Sequence, residues 1–159
     1  MSRAGEAGSA TSLIRETSLV NPLVLDTNIA LDLFVFQDAA TVPLRKAVEL
    51  TDGAWIATAA MREELVRVLA YPQIARRLVT QARPAQDVLD AFDRCTRLVP
   101  EAPKAAYTCK DPDDQKFIDL AATHRATLVS KDDAVLCMAK RLARVGVHVC
   151  REWSPSHVD

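Results

Sequence analysis

The stretch 23–34 reads LVLDTNIALDLF: three apolar residues without a polar break, then Asp26, Thr27 and Asn28, then Ile29, Leu31, Leu33 and Phe34. A short, continuously apolar run is the pattern of a strand buried on both faces, and an Asp-Thr-Asn string ahead of a renewed apolar period starts a helix. The same order recurs further on. Ala54-Trp55-Ile56-Ala57 runs into Thr58, an N-cap for a helix carrying Met61, Leu65, Val68 and Leu69. Thr127-Leu128-Val129-Ser130 runs into Lys131-Asp132-Asp133 and a helix from Ala134 to Val145, closed by Gly146, before a last strand at Val147-His148-Val149-Cys150. Between these lie helices Pro43 to Thr51, Gln73 to Gln81 and Pro84 to Cys95, and a short strand at Arg97 to Pro100. Asp111-Pro112-Asp113-Asp114 opens a further helix whose core face is Phe117, Ile118, Leu120 and Ala121. Strands alternating with helices predict a three-layer α/β/α domain with a central, mainly parallel sheet over 22–153, flanked by flexible tails at 1–21 and 154–159.

Composition fits one such domain. The chain has 159 residues, 49% of them hydrophobic, and at this length a fold buries roughly 70% of the surface its unfolded chain exposes, so no disulfide or metal staple is required. A net charge of -1 excludes binding of nucleic acid through bulk positive charge, so a polyanion must be met by a local patch or a metal. The sequence has no apolar run of membrane-spanning length and no secretory pattern at its start, which predicts a cytoplasmic protein without a membrane partner. Cys95, Cys109, Cys137 and Cys150 lack a C-x-x-C spacing and read as small buried apolar residues rather than as a zinc site with His148. The 14 Asp against 7 Glu need individual explanations, because Asp favours caps, turns and ligand positions over helix interiors.

In an open parallel sheet, ligands bind where the chain leaves the carboxyl ends of the strands. Asp26 and Asp132 both fall at strand ends, and Asp114 falls in the first turn of a helix that begins at the same edge if its crossover is regular. Of Glu63 and Glu64, the second lies beside core Leu65 and is the one placed to look inward. Each acid taken alone has a structural explanation as a helix cap or a first-turn residue. Capping, however, does not require four elements to aim carboxylates at one edge. Four convergent carboxylates repel one another unless a cation sits among them, and hard oxygen ligands select Mg2+ or Mn2+. The chemistry such a site supports is hydrolysis of a phosphodiester by a metal-activated water, without a side-chain nucleophile.

Four motifs carry a family resemblance: V-L-D-T-N at Val24 to Asn28, E-E-L-x-x-V-L-x-x-P at Glu63 to Pro72, C-K-D-P-D-D-x-K-F at Cys109 to Phe117, and L-V-S-K-D at Leu128 to Asp132. Together they resemble the PIN domain, a family of metal-dependent ribonucleases that includes VapC-type toxins of toxin–antitoxin systems. The resemblance implies that Asp26, Glu64, Asp114 and Asp132 are the catalytic and metal-binding acids. Thr27, Asn28, Asp113 and Asp133 would support and orient them. It also implies an endoribonuclease with Mg2+ or Mn2+ as cofactor, RNA, single-stranded or structured, as substrate, and an antitoxin protein as partner. Relatives often read T-G-D at the last motif. Here Lys131 replaces the small residue, where it either contacts the scissile phosphate or points to solvent.

Candidates for holding RNA are Arg62, Arg67, Arg76, Arg77 and Arg83, with Lys140, Arg141 and Arg144 on the late helix. No basic-aromatic-basic pattern is evident, so the sequence does not support recognition by base stacking. The apolar residues around Phe34, Phe36 and Val42 read either as core or as a self-association face that would make a homodimer. Two alternatives differ in kind. A phosphatase with Asp26 as nucleophile usually wants a second acid two residues on, where this chain has Asn28, and a catalytically weak or inactive PIN-like module would bind RNA or protein and keep the acids as remnants. Nucleotide-binding glycine motifs are absent.

Overall fold

A computed structural model describes residues 21–155. The expected tails at 1–21 and 154–159 lie outside the described residues except for Asn21, Ser154 and Pro155. Five short strands form one all-parallel sheet: β1 (Leu23–Leu25), β2 (Trp55–Ala57), β3 (Thr96–Leu98), β4 (Thr127–Val129) and β5 (His148–Cys150), in the order β3-β2-β1-β4-β5. Helices cover the sheet in a three-layer α/β/α arrangement. The residues of β1, β2 and β4 are all buried, because a parallel strand in the middle of such a sheet has no solvent face. The register Leu23↔Thr127, Val24↔Leu128 and Leu25↔Val129 puts the ends of β1 and β4 level. From β1 the chain builds outward to β2 and β3, then returns past β1 to build β4 and β5. Order reverses between β1 and β4, so the crevice of the fold opens at their carboxyl ends.

Side-chain caps start the helices that follow β1 and β2. Asp26 accepts from the Ile29 amide at 3.1 Å and starts α1 (Thr27–Leu31), and Thr58 Oγ1 accepts from the Met61 amide at 3.4 Å and starts α3 (Ala59–Leu69). Between them lies α2 (Val42–Leu50), with Pro43 in its first turn. The helices α4 (Pro72–Thr80) and α5 (Ala85–Cys95) follow α3, and a 3-10 turn at Pro112–Asp114 leads into α6 (Gln115–His124). The core is centred on Trp55, whose ring stacks on Phe34 at 5.9 Å and meets Phe92 edge-on at 5.2 Å. Gly146 has φ +87, and a Cβ there would lie 3.1 Å from the Arg125 side chain, so the turn into β5 requires glycine.

Three details differ from the sequence reading. The helix after β1 continues as a π-helical turn, Asp32–Phe36, in which Asp32 to Val35 are all buried. The carbonyls of Leu33, Phe34 and Val35 are taken by side chains from elsewhere: Arg45, Arg83 and, at 2.8 Å, Gln81. The helix expected from Ala134 to Val145 is broken into α7 (Asp133–Leu136) and α8 (Ala139–Ala143). Here the thiols of Cys109 and Cys137 both approach the Ala134 carbonyl at 3.4 Å, and the Met138 amide bonds Val135 instead. Finally, Cys137 is exposed, whereas Cys109 is buried as expected. Among the described residues no helix is long and apolar enough to cross a membrane.

Candidate metal centre

The crevice at the ends of β1 and β4 is organised by one hydroxyl. Asp26, 3% exposed, follows β1, and its own amide bonds the Val129 carbonyl at 3.1 Å. Its Oδ1 takes the Ile29 amide, and its Oδ2 accepts from Ser130 Oγ, which lies just past β4 and is wholly buried. A hydroxyl has one proton to donate. Having given it to Asp26, Ser130 Oγ accepts the Asp132 amide at 3.0 Å, and Asp132 Oδ1 in turn accepts from Ala134 N at 2.9 Å. Ser130 thus fixes the two strand-end acids relative to each other. Ser130→Ala is expected to keep the fold and lower metal-dependent activity about 10- to 100-fold, the usual cost of losing a residue that orients a ligand. Ser130→Thr, which keeps the hydroxyl, is expected to retain most of it; equal activity in the Ala variant would show that the hydroxyl is not needed.

The third acid arrives from the turn before α6. Asp111 Oδ1 accepts the Asp113 amide at 3.0 Å, and the 3-10 turn after it delivers Asp114, 9% exposed, into the crevice. Asp111, Asp114 and Asp132 each present a carboxylate oxygen within 4.8 Å of the other two. Asp114 Oδ2 is buried without a hydrogen-bond partner. Such an atom costs free energy unless something supplies positive charge to it, which is what a divalent ion bound by hard oxygens does. Burial, the hydrogen bond shared with Asp132, and the charges of Asp132, Asp111 and Asp26 push the Asp114 carboxyl up to about 8. Asp132 is lowered, chiefly by that same hydrogen bond and by the Ala134 amide. Burial raises Asp26, with the Ser130 hydroxyl and the amides of Ile29 and Asn28 opposing.

These directions fix a pH dependence. Between the ordinary 3.8 and about 8, folded Asp114 keeps a proton that the unfolded chain has released, so the metal-free protein loses stability as pH rises through that window. The Asp26 shift has the same sign. That of Asp132 acts only in acid below the ordinary value, where stability falls as pH falls. A cation must displace the Asp114 proton, so its stabilising effect grows toward alkaline pH. Thermal melts with and without Mn2+ are expected to show a larger metal-induced rise at pH 8 than at pH 5.5. A rise independent of pH would contradict the assignment.

Glu64 enters the same crevice from α3. It is half-buried while Glu63 is exposed, and with Asp26 and Asp114 it lines a cleft of about 440 Å³. Its Oε1 pairs with Lys116 Nζ at 2.5 Å; Lys116 also donates to the Asp113 carbonyl at 2.6 Å and lies 5.0 Å from the Phe117 ring centroid. Thr27 and Asn28 line the cleft as well. The close cluster takes Asp114 and Asp132 of the four expected acids and adds Asp111; Asp26 and Glu64 line the cleft with Asp114 without joining it, and the exposed Asp113 and Asp133, the latter only 3.7 Å from Arg151, do not join it either. Lys131 does not stand free at the rim: its Nζ is 2.5 Å from Oδ2 of the buried Asp32.

The sequence did not single out Asp111, Ser130 or Lys116. Asp111 precedes a proline and reads as a cap, a role it does fill, which hid its second one. Of the basic residues, Arg62 is held bidentately by Asp93 at 2.8 and 2.9 Å, Arg83 is bound to Phe34 and Arg77 lies over Phe36, while Arg67, Arg76, Lys140, Arg141 and Arg144 are exposed. A family model described as a PIN domain matches residues 22–134. No curated protein matches the chain.

Proposed function

The chain belongs to the PIN domain family, whose members are generally nucleases, and from that membership and the acidic cluster we propose that it is a Mg2+- or Mn2+-dependent endoribonuclease. The single observation that carries the reading is the buried, unpartnered Asp114 Oδ2 beside Asp132 and Asp111 at the reversal point of the sheet. Asp114, Asp132 and Asp26, with Asp111, are the residues to hold the ion, and their all-oxygen donor set suits Mg2+ or Mn2+. When bound, such an ion polarises a phosphate oxygen and lowers the pKa of a coordinated water.

The rest is the work of the chain. Ser130 holds Asp26 and Asp132 in a fixed relation, so the site needs little rearrangement to receive its ligands. Asp114 gives up its proton on loading. Lys116 holds the Glu64 carboxylate in an ion pair, and it is the cation nearest that carboxylate for a substrate phosphate to meet. No side chain serves as nucleophile.

We further propose that the enzyme acts in the cytoplasm as the toxin of a toxin–antitoxin pair, neutralised by a small protein and working as a homodimer. A second reading, a PIN-like module without turnover, draws on the Lys116 ion pair, which neutralises part of the acidic cleft without a metal.

The test is incubation of the full chain with end-labelled single-stranded RNA in Mg2+, Mn2+ or EDTA, with Asp26→Asn as control. Asn caps helices as well as Asp does, so the variant keeps α1. Cleavage that needs the metal and is lost in the variant is the expected result. Cleavage that persists in EDTA or in Asp26→Asn would overturn the reading, and tight RNA binding without cleavage under any metal would favour the module.

A further inference from the structure

Among the described residues the two exposed aromatic side chains are Phe36, 38% exposed, and Tyr71, 49% exposed; Phe34, Trp55, Phe92, Phe117 and Trp153 are buried and Tyr107 is half-buried. Both line the cleft that holds Asp26, Glu64 and Asp114, although they lie on different elements. Phe36 ends the π-helical turn, whose carbonyls Arg45, Arg83 and Gln81 pin in place. Tyr71 is the N-cap residue of α4. No side chain caps that helix, and its first turn, through Gln73 and Ile74, lines the cleft too. The Arg77 guanidinium lies 5.4 Å from the Phe36 ring centroid. The exposed aliphatic residues Val42, Leu50, Val66, Val79 and Leu98 do not line this cleft.

We propose that Phe36 and Tyr71, with Arg77 and the amino end of α4, form a subsite that stacks a nucleobase of single-stranded RNA beside the acidic centre. The inference rests on the nuclease reading for its choice of ligand and adds a means of holding the substrate. An acidic centre repels a polyanion everywhere except at its metal, so the strand needs another source of affinity close by. A ring face supplies it without regard to base identity. A guanidinium and a helix amino terminus suit the neighbouring phosphate. The cleft also holds the aliphatic Leu31, Val68 and Ile74, but the acids Asp26, Glu64 and Asp114 and the polar Thr27, Asn28 and Gln73 outnumber them, which suits a polar ligand with an aromatic base better than an apolar protein segment. At about 440 Å³ the cleft lies within the usual range for a small-molecule site, roughly 300–1,000 Å³, and suits one nucleotide rather than a duplex.

The test uses the full chain carrying Asp26→Asn, so that RNA is not cut, and a six-nucleotide single-stranded RNA with one 2-aminopurine, whose fluorescence is quenched by stacking. The aminopurine is stepped through each position in Mg2+. Quenching at one or two positions is expected. Tyr71→Leu and Phe36→Leu, which keep apolar bulk but remove a ring, are each expected to abolish it and weaken binding about 5- to 100-fold; Tyr71→Trp is expected to restore both. Affinity and quenching unchanged in both Leu variants would overturn the proposal. So would unchanged RNA binding accompanied by altered self-association, which would make the face a protein contact. Metal-dependent cleavage with ring-independent binding would remove the subsite and leave the nuclease, and ring-dependent quenching with no cleavage by the unmutated chain would do the reverse.

Discussion

Asp114→Asn is expected to lower metal-dependent RNA cleavage by about 100-fold or more and, at pH 8, to make the metal-free protein melt at a higher temperature. The two effects have one cause. Asp114 is buried among Asp26, Asp111 and Asp132, and its second oxygen has no partner, so ionisation there works against the fold. Asparagine has nearly the same shape and no charge. It relieves the repulsion and removes the hard, anionic oxygen that a divalent ion requires. Because folded Asp114 still holds its proton at pH 5.5, the gain in stability should shrink there, and the variant's melting temperature should vary less with pH than that of the parent. Activity assays and melts at pH 5.5 and 8 check both parts. A variant less stable than its parent in the absence of metal would show that Asp114 is a structural cap and no more.

The largest loss of stability is expected in the core, away from the acidic cluster. Trp55→Ala empties the centre of the core, where the indole is 1% exposed between Phe34 and Phe92, and is expected to cost about 3–5 kcal/mol. For a chain of this size that corresponds to a fall in melting temperature of roughly 6–20 °C. Phe34 belongs to the π-helical turn that carries Asp32 and Phe36, so the cavity should also loosen the cleft wall. Trp55→Phe, which keeps an aromatic against both neighbours, is expected to lose much less. Chemical denaturation of the two variants measures the difference, and equal losses would mean that the site does not depend on the edge-on contact with Phe92.

How far the sequence could be read follows from where each feature's cause lies. The strands β1, β2 and β4 were legible because burial on both faces writes an unbroken apolar run, and the residue ending each run announces the next helix. Asp26 and Asp132 were legible for the same reason, since a strand-end acid has a known place on a parallel sheet. Asp114 needed the additional assumption that α6 begins at that edge. Features whose causes lie in remote residues left no local trace. The π-helical turn depends on Arg45, Gln81 and Arg83, and the break between α7 and α8 on a thiol from the loop at Cys109. The link between Asp26 and Asp132 runs through a serine that any strand might carry. The cleft's aromatic pair escaped notice because Phe36 and Tyr71 stand far apart in the chain, and a pattern of neighbouring basic and aromatic residues is the wrong thing to seek when different helices supply the parts. Lys131 was placed correctly at a strand end, but the buried Asp32 that claims it lies outside every motif.

The most direct measurement is a crystal structure of the full chain grown with Mn2+, with the ion located by its anomalous scattering. One peak or two closely spaced peaks are expected at the carboxyl ends of β1 and β4, coordinated by Asp114 and Asp132 with Asp26 or Asp111 completing the protein ligands, and no such peak is expected in Asp114→Asn. Manganese bound elsewhere, or a crevice in which Asp114 and Asp132 stay free of the ion at saturating Mn2+, would contradict the metal-site assignment.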